Sequence, residues 1–243
     1  MFAEDEAALL LAEASSPAQL AGMVDRRVAG EPLEHVLGWV DFAGVRVGVD
    51  PGVFVPRRRT EVLVAPVLEH LRGRPSPVVV ELCCGTAAVG AVLAARAPGV
   101  ELHVADLDPA AVACARRNVA PAGGHAHLGD LYEALPPALR GRVDVVVANA
   151  PYVPTAAIAT MPPEARDHEP RLALDGGADG LDVQRRVVAQ APAWLAPGGW
   201  LLVETSRQQA AGTTAAFLAA GLTAEVVRAE DVDGTAVVGH VAG

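Results

Sequence analysis

The residues best suited to do chemistry stand together as Asn149-Ala150-Pro151-Tyr152, where the apolar run VDVVVA ends. The chain has only two asparagines, so one at the mouth of a buried strand is a marked position. Its amide offers a carbonyl acceptor and an NH2 donor. Pro151 has a fixed φ and stiffens the turn. Tyr152 supplies a flat face on which a planar group can lie. Together they form a clamp for a planar NH2-bearing group, such as a carboxamide or the exocyclic amine of a base. Asn and Pro also favour plain strand-ending turns, so the clamp gains weight only from the rest of the chain.

Two more places carry polar or small residues at strand ends. The run VVVEL closes on Glu81 and leads into Cys83-Cys84-Gly85-Thr86-Ala87. Small residues there let the backbone approach a ligand closely. A G-x-G-x-x-G fingerprint is absent, which argues against a pyrophosphate cradle of the NAD type. Asp106 ends the next apolar run, 21 residues after Gly85. From there a carboxylate can accept hydrogen bonds from both ribose hydroxyls. Asp108 directly precedes Pro109 and suits a helix cap, which leaves Asp106 for a ligand. Asp130 and Leu131 lie in a short acidic loop that could meet an adenine edge.

Composition removes whole classes. All 19 basic residues are Arg, which excludes a Walker lysine, a pyridoxal Schiff base and a catalytic ammonium. None of the four Ser lies in a G-x-S-x-G context, so a serine hydrolase is not expected. The net charge of −10 argues against a large phosphate-binding surface. Three Cys, with Cys83 and Cys84 adjacent, make no disulfide framework and suit a reducing cytoplasm. The pair reads as packing residues. His125-x-His127 reads as an exposed loop, with no metal expected. Arg57 to Arg59 reads as a solvated run or, beside a cleft, as a binder of acidic or RNA-borne charge. No apolar run reaches membrane-spanning length, and the acidic N-terminus does not read as a signal peptide.

The elements that must position these residues follow from pattern. Residues 4–29 carry two short helices, the second capped by Ser15-Ser16-Pro17. VRVGV, between Gly44 and Asp50-Pro51-Gly52, predicts a hairpin. Thr60 is expected to cap a helix to about Leu71, and residues 72–77 to form a linker. From Val78 strands and helices alternate: VVVEL, helix 86–96, VELHVAD, helix 109–119, VDVVVAN, helix 182–195, GGWLLVETS and helix 208–220. LTAEVVRAE and TAVVGHVA close the chain as two strands, expected as an antiparallel edge hairpin. This is an α/β chain with a mostly parallel sheet and helices on both faces. Residues 1–74 are expected as an N-terminal helical segment with hairpin, and 75–243 as the main domain.

The ordered motifs EPLEHVLGWVDFAGVRVGVDPGVFVPR (31–57), ELCCGTA (81–87), VADLDP (104–109), GDLYEALP (129–136), NAPYVP (149–154), EPRLALDGGADGLD (169–182) and PGGWLLVET (197–205) resemble the HemK/PrmC-type protein-(glutamine-N5) methyltransferases. The resemblance spans about residues 30–243. It implies a seven-stranded, Rossmann-like methyltransferase sheet, S-adenosylmethionine as cofactor and a protein substrate with an exposed glutamine loop, a release factor above all. Nucleic acid would enter only through a ribosome-associated substrate, and no membrane is implied. It further implies that Glu81 and the turn Cys83, Cys84, Gly85, Thr86 and Ala87 lie under the methionine part. Asp106 would hold the ribose, and Asp130 and Leu131 would flank the adenine. Asn149 and the carbonyl of Ala150 would take the two amide hydrogens, with Pro151 stiffening the turn and Tyr152 packing on the amide plane.

The chain departs from that pattern in places. Cys83 and Ala87 stand where the family shows glycines. Ala87 is expected to open a helix and be tolerated, while Cys83 would crowd the cofactor. Ala150 replaces a Pro, which leaves a backbone carbonyl contact intact. Residues 57–61 lose an acid and a Pro. Fewer residues precede Glu31 than the family's N-terminal domain carries, so a different protein substrate is a competing expectation. An N6-adenine methyltransferase, a small-molecule methyltransferase and a non-catalytic cofactor-binding protein remain as alternatives.

Overall fold

The protein is described as a computed structural model covering residues 3–241. Met1, Phe2, Ala242 and Gly243, which include the last residue of the final expected strand, lie outside the described residues. Helices α1 (Ala3–Glu13), α2 (Pro17–Val28) and α3 (Leu33–Leu37) come first. Ser16 caps α2 by accepting from the Gln19 N–H, with Pro17 in the first turn. These three helices close on a small cluster of Leu10, Met23, Leu33 and Val36. The hairpin β1 (Trp39–Phe42) and β2 (Val45–Gly48) follows, and α4 (Val64–Leu71) leads into the main sheet. Phe42, Val47, Leu63 and Val67 share one core cluster with Val79 and Leu93, so the hairpin and α4 pack on the sheet's own core.

The sheet comprises β3 (Val78–Leu82), β4 (Glu101–Asp106), β5 (His125–Leu128), β6 (Val143–Ala148), β7 (Leu195–Glu204), β8 (Glu225–Ala229) and β9 (Gly234–His240). Its helices are α5 (Ala88–Arg96), α6 (Pro109–Val119), α7 (Pro163–His168), α8 (Asp182–Gln190) and α9 (Ala210–Ala219). The strand order is β5-β4-β3-β6-β7-β9-β8. Pairings from β5 across to β7 are parallel, while β9 runs antiparallel to β7 and β8. β3 is buried along its whole length and β6 at all but one position, as valine-rich strands covered on both faces must be. The chain winds one way from β3 to β5 and the other from β6 to β7. The switch point therefore lies between β3 and β6, where such sheets bind ligands.

Three expectations need correction. Helix α5 begins at Ala88, because Ala87 is left-handed (φ 59°) and cannot sit inside a helix. Thr60 is no cap: it is buried in a 3₁₀ turn over Arg58–Leu63, and α4 starts after Leu63. HAHL is no loop but the edge strand β5, with the His103 and His127 rings 2.9 Å apart at their nearest nitrogens. The two terminal strands form the expected antiparallel hairpin at the sheet edge, with β9 paired to β7 and β8 outermost.

Candidate active site

Register brings the strand ends together. Leu82 pairs with Ala105 on one side and Ala148 on the other. Cys83, Asp106 and Asn149 therefore leave the sheet at one level. They open into a cleft of about 1380 Å³, its open mouth included. Every residue named above for cofactor or substrate lines this cleft except Ala87, which is fully buried.

The β3 turn is bent by three left-handed residues in alternation: Cys83 (φ 51°), Gly85 (φ 54°) and Ala87 (φ 59°). Two of these are not glycine, and each such residue costs about 1–2 kcal/mol. Strain of this kind clusters at ligand sites. Cys83 packs on the apolar cluster that includes Leu131 and Tyr132, and burial pushes both adjacent thiols far up, so neither is a nucleophile. Asp108 caps α6, as expected, accepting from Ala110 N at 2.8 Å. Asp106 is not left unengaged, however. Its oxygens accept from Gly85 N at 2.8 Å and Asp108 N at 2.9 Å. Each oxygen keeps a second lone pair, so Asp106 both holds the turn and faces the cleft. Glu81 accepts from Gly90 N at 2.6 Å. A Cβ at Gly90 would meet that carboxylate at 2.7 Å, which is why α5 carries glycine there. Asp130 pairs with Arg186 at 2.6 Å, and Leu131 beside it is again left-handed (φ 50°).

The clamp is held by residues to which the sequence reading gave other roles or none. Asn149 donates from its Nδ2 to the Thr60 hydroxyl at 3.3 Å. The Tyr152 hydroxyl donates to Glu204 at 3.1 Å, and the Arg59 guanidinium lies 5.8 Å over the Tyr152 ring. Arg59 also lies 3.5 Å from Glu204. Glu204 sits at the end of β7, fully shielded, and burial lifts its carboxyl against the pull of Thr60, Arg59 and Tyr152. The Gln209 amide donates to the Tyr152 carbonyl at 2.9 Å. A Cβ at Gly180 would strike that same carbonyl at 2.3 Å. The glycine-rich DGGADG segment is thus a brace, hydrogen-bonded to the strand exit through Gly176 N to Val153 O.

Phe54, Arg57, Met161, Glu169 and Leu172 also line the cleft. Arg57 pairs with the buried Glu169 at 2.6 Å. The arginine run therefore turns two of its members inward, onto buried glutamates. Among the described residues no group of three or more His, Cys, Asp or Glu is placed to hold a metal. No helix of those residues is long and apolar enough to cross a membrane.

The model of the methyltransferase small domain matches residues 44–162. A release factor glutamine methyltransferase of Geobacter sulfurreducens is 39% identical over 225 residues, which are 90% of this chain and 77% of that protein. A 4-amino-L-phenylalanine/4-methylamino-L-phenylalanine methyltransferase of Streptomyces pristinaespiralis is 39% identical over 203 residues, 82% and 69% of the two chains. Among solved structures, a T. thermophilus 16S rRNA N2 G1207 methyltransferase in complex with AdoMet and guanosine shares the fold, with TM-score 0.61, 20% identity and coverage of 84% and 50%.

Proposed function

The chain belongs to the release factor glutamine methyltransferase family, and from that membership we propose that it transfers the methyl group of S-adenosylmethionine to the side-chain N5 of a glutamine in a protein loop. A release factor is the first partner to test. The observation that carries the reading is the orientation of Asn149. One N–H of its NH2 is given to Thr60, which fixes the amide plane, and its carbonyl oxygen is the acceptor available to meet an amide hydrogen.

The cleft fits the cofactor. The left-handed turn brings backbone close without long side chains, Asp106 retains lone pairs for ribose hydroxyls, and the acids Glu81, Asp106 and Asp130 line the space, as suits a cationic ligand. When bound, the cofactor supplies an electrophilic methyl on a sulfonium leaving group. The protein's own work is orientation. An amide nitrogen is a poor nucleophile because its lone pair is delocalised. Asn149 and the Ala150 carbonyl would accept its two hydrogens, localise that lone pair and aim it. Tyr152 would cover the amide plane, held flat by Glu204 and Arg59. Such preorganised acceptors supply most of the catalysis here, and the proton can leave after transfer.

The test is to give purified enzyme a release factor and a cell extract, with radiolabelled cofactor, with and without nuclease. A nuclease-resistant mark mapped by mass spectrometry to a glutamine supports the proposal. A mark on adenine, Lys or a carboxylate overturns it. One observation favours a second reading: the Streptomyces relative is as similar as the Geobacter one, and an arylamine is also a planar NH2 group. Turnover of 4-amino-L-phenylalanine without any protein mark would move the activity to that class. A nucleic-acid substrate fits less well, since Arg57 and Arg59 face buried glutamates. Three free cysteines suit a cytoplasmic setting.

A further inference from the structure

The second asparagine of the chain is spent on backbone. Asn118, near the end of α6, lies outside the cleft lining. Its Nδ2 donates to Gly48 O at 2.9 Å and to Thr86 O at 2.8 Å, and its Oδ1 accepts from Gly48 N at 3.0 Å. Both amide hydrogens are thereby used. A Cβ on Gly48 would stand 3.0 Å from that Oδ1, so glycine lets β2 come this close. The bond to Thr86 stands in for one that α5 does not make. The Gly90 N–H, four residues on, is the ordinary helical donor for the Thr86 carbonyl, but it goes to Glu81 at 2.6 Å. Thr86, set between left-handed Gly85 and Ala87, has its carbonyl taken by Asn118 instead. Other anchors of the turn lie on β4, through Cys84 N to Ala105 O and Gly85 N to Asp106. One side chain of α6 thus joins the cleft's strained turn to the end of the hairpin, across 32 and 70 residues of sequence.

We propose that Asn118 is a positioning residue for the cofactor turn and ties that turn to the hairpin, so that the two are set together. The inference rests on the methyltransferase reading above. A ligand that steadies the turn then steadies Gly48 through the same amide, and loss of the amide weakens both, as linkage requires. The hairpin is also where the chain enters the segment that brings Thr60 to Asn149. The cofactor half and the clamp half of the site therefore share this joint.

Calorimetry and hydrogen exchange on the full chain test this, with S-adenosylhomocysteine as the probe. Asn118→Asp keeps the Oδ1 acceptor but sets a carboxylate oxygen against two carbonyls, and Asn118→Ala removes the amide. Each should raise the Kd by about tenfold, within the usual range for coupled sites. Ala115→Gly, buried three residues earlier on α6, loses helix stability without touching the turn, and its Kd should stay within about twofold of wild type. In the wild type, saturating probe should slow amide exchange over residues 45–50; in Asn118→Ala that slowing should vanish. A residue that only stabilised α6 would move neither the Kd nor this response. The inference is overturned if both Asn118 variants bind the probe like wild type, or if the wild-type hairpin exchanges alike with and without it. The second result needs no variant and decides the matter should both fail to fold. A wild type that binds no probe would overturn the cofactor assignment and this inference with it. Methyl transfer is not measured, so the glutamine reading stands or falls separately.

Discussion

Asn149 and Thr60 are separated by 89 residues in sequence and joined by one hydrogen bond. The acceptor that would meet the substrate is therefore aimed by a hydroxyl from another segment. Asn149→Ala should keep the fold and the cofactor affinity while lowering turnover by about 10²–10³-fold, the scale for one preorganised partner. Stopped assays beside calorimetry read both quantities, and wild-type turnover would remove Asn149 from the chemistry. Thr60→Val keeps shape and loses the hydroxyl. It should lower kcat by about 10–100-fold, the cost of small misplacement, with KM for the cofactor unchanged. A parallel rise in that KM would mean that Thr60 serves the cleft as a whole. That Asp106 and Asn149-Ala150-Pro151-Tyr152 share one cleft was legible, because small and polar residues at the ends of apolar runs break a local pattern. Thr60, Glu169 and Glu204 were not. They act across 89, 112 and 52 residues, and only the fold reveals which distant segment meets which.

At the scale of elements, valine-rich runs and capping residues announced most strands and helices. What they hid was backbone conformation. Nothing in the string CCGTAA says that Cys83 and Ala87 adopt positive φ, and so α5 starts two residues later than its pattern suggested. The edge strand β5 was hidden too, since four half-polar residues with exposed ends lack the apolar signal of a covered strand. The left-handed turn yields a test. Ala87→Gly relieves strain while losing a buried methyl and gaining unfolded-state entropy, so its stability should stay within about 1 kcal/mol of wild type. Ala91→Gly, in the interior of α5 and equally alanine, has no strain to relieve and should cost about 1–2 kcal/mol. Urea denaturation of the two variants compares them directly. Equal losses at both positions would show that the turn stores no strain.

For the whole molecule, the cleft's charge sets how stability responds to pH. Glu81, Asp106, Glu169 and Glu204 are all held above the ordinary carboxylate range, burial being the largest cause in each. Glu81 is pushed up to about 8. In the unfolded chain such groups titrate near pH 4. Between those values the folded protein binds more protons than the unfolded one, so stability falls as pH rises. The contribution of Glu81 is fully present below about pH 4.5 and is lost by about pH 8, at up to about 1.4 kcal/mol per pH unit within that window. Partly buried acids outside the cleft such as Glu6 and Glu31 run the other way, held low by hydrogen bonds from Arg27 and Arg26. Their effect lies below about pH 4.5 and does not offset the loss above it. The melting temperature should therefore decline from pH 5.5 to 8.5. Glu81→Gln, neutral at every pH and able to keep the Gly90 contact through its carbonyl, should flatten that decline. S-adenosylmethionine, a cation entering an increasingly anionic cleft, should raise the melting temperature more at pH 8.5 than at pH 5.5. Calorimetric melts across the series measure all three. A wild-type melting temperature that is flat or climbs over this range, or a slope that Glu81→Gln leaves untouched, would place the ionised form of these carboxylates in the folded cleft at neutral pH.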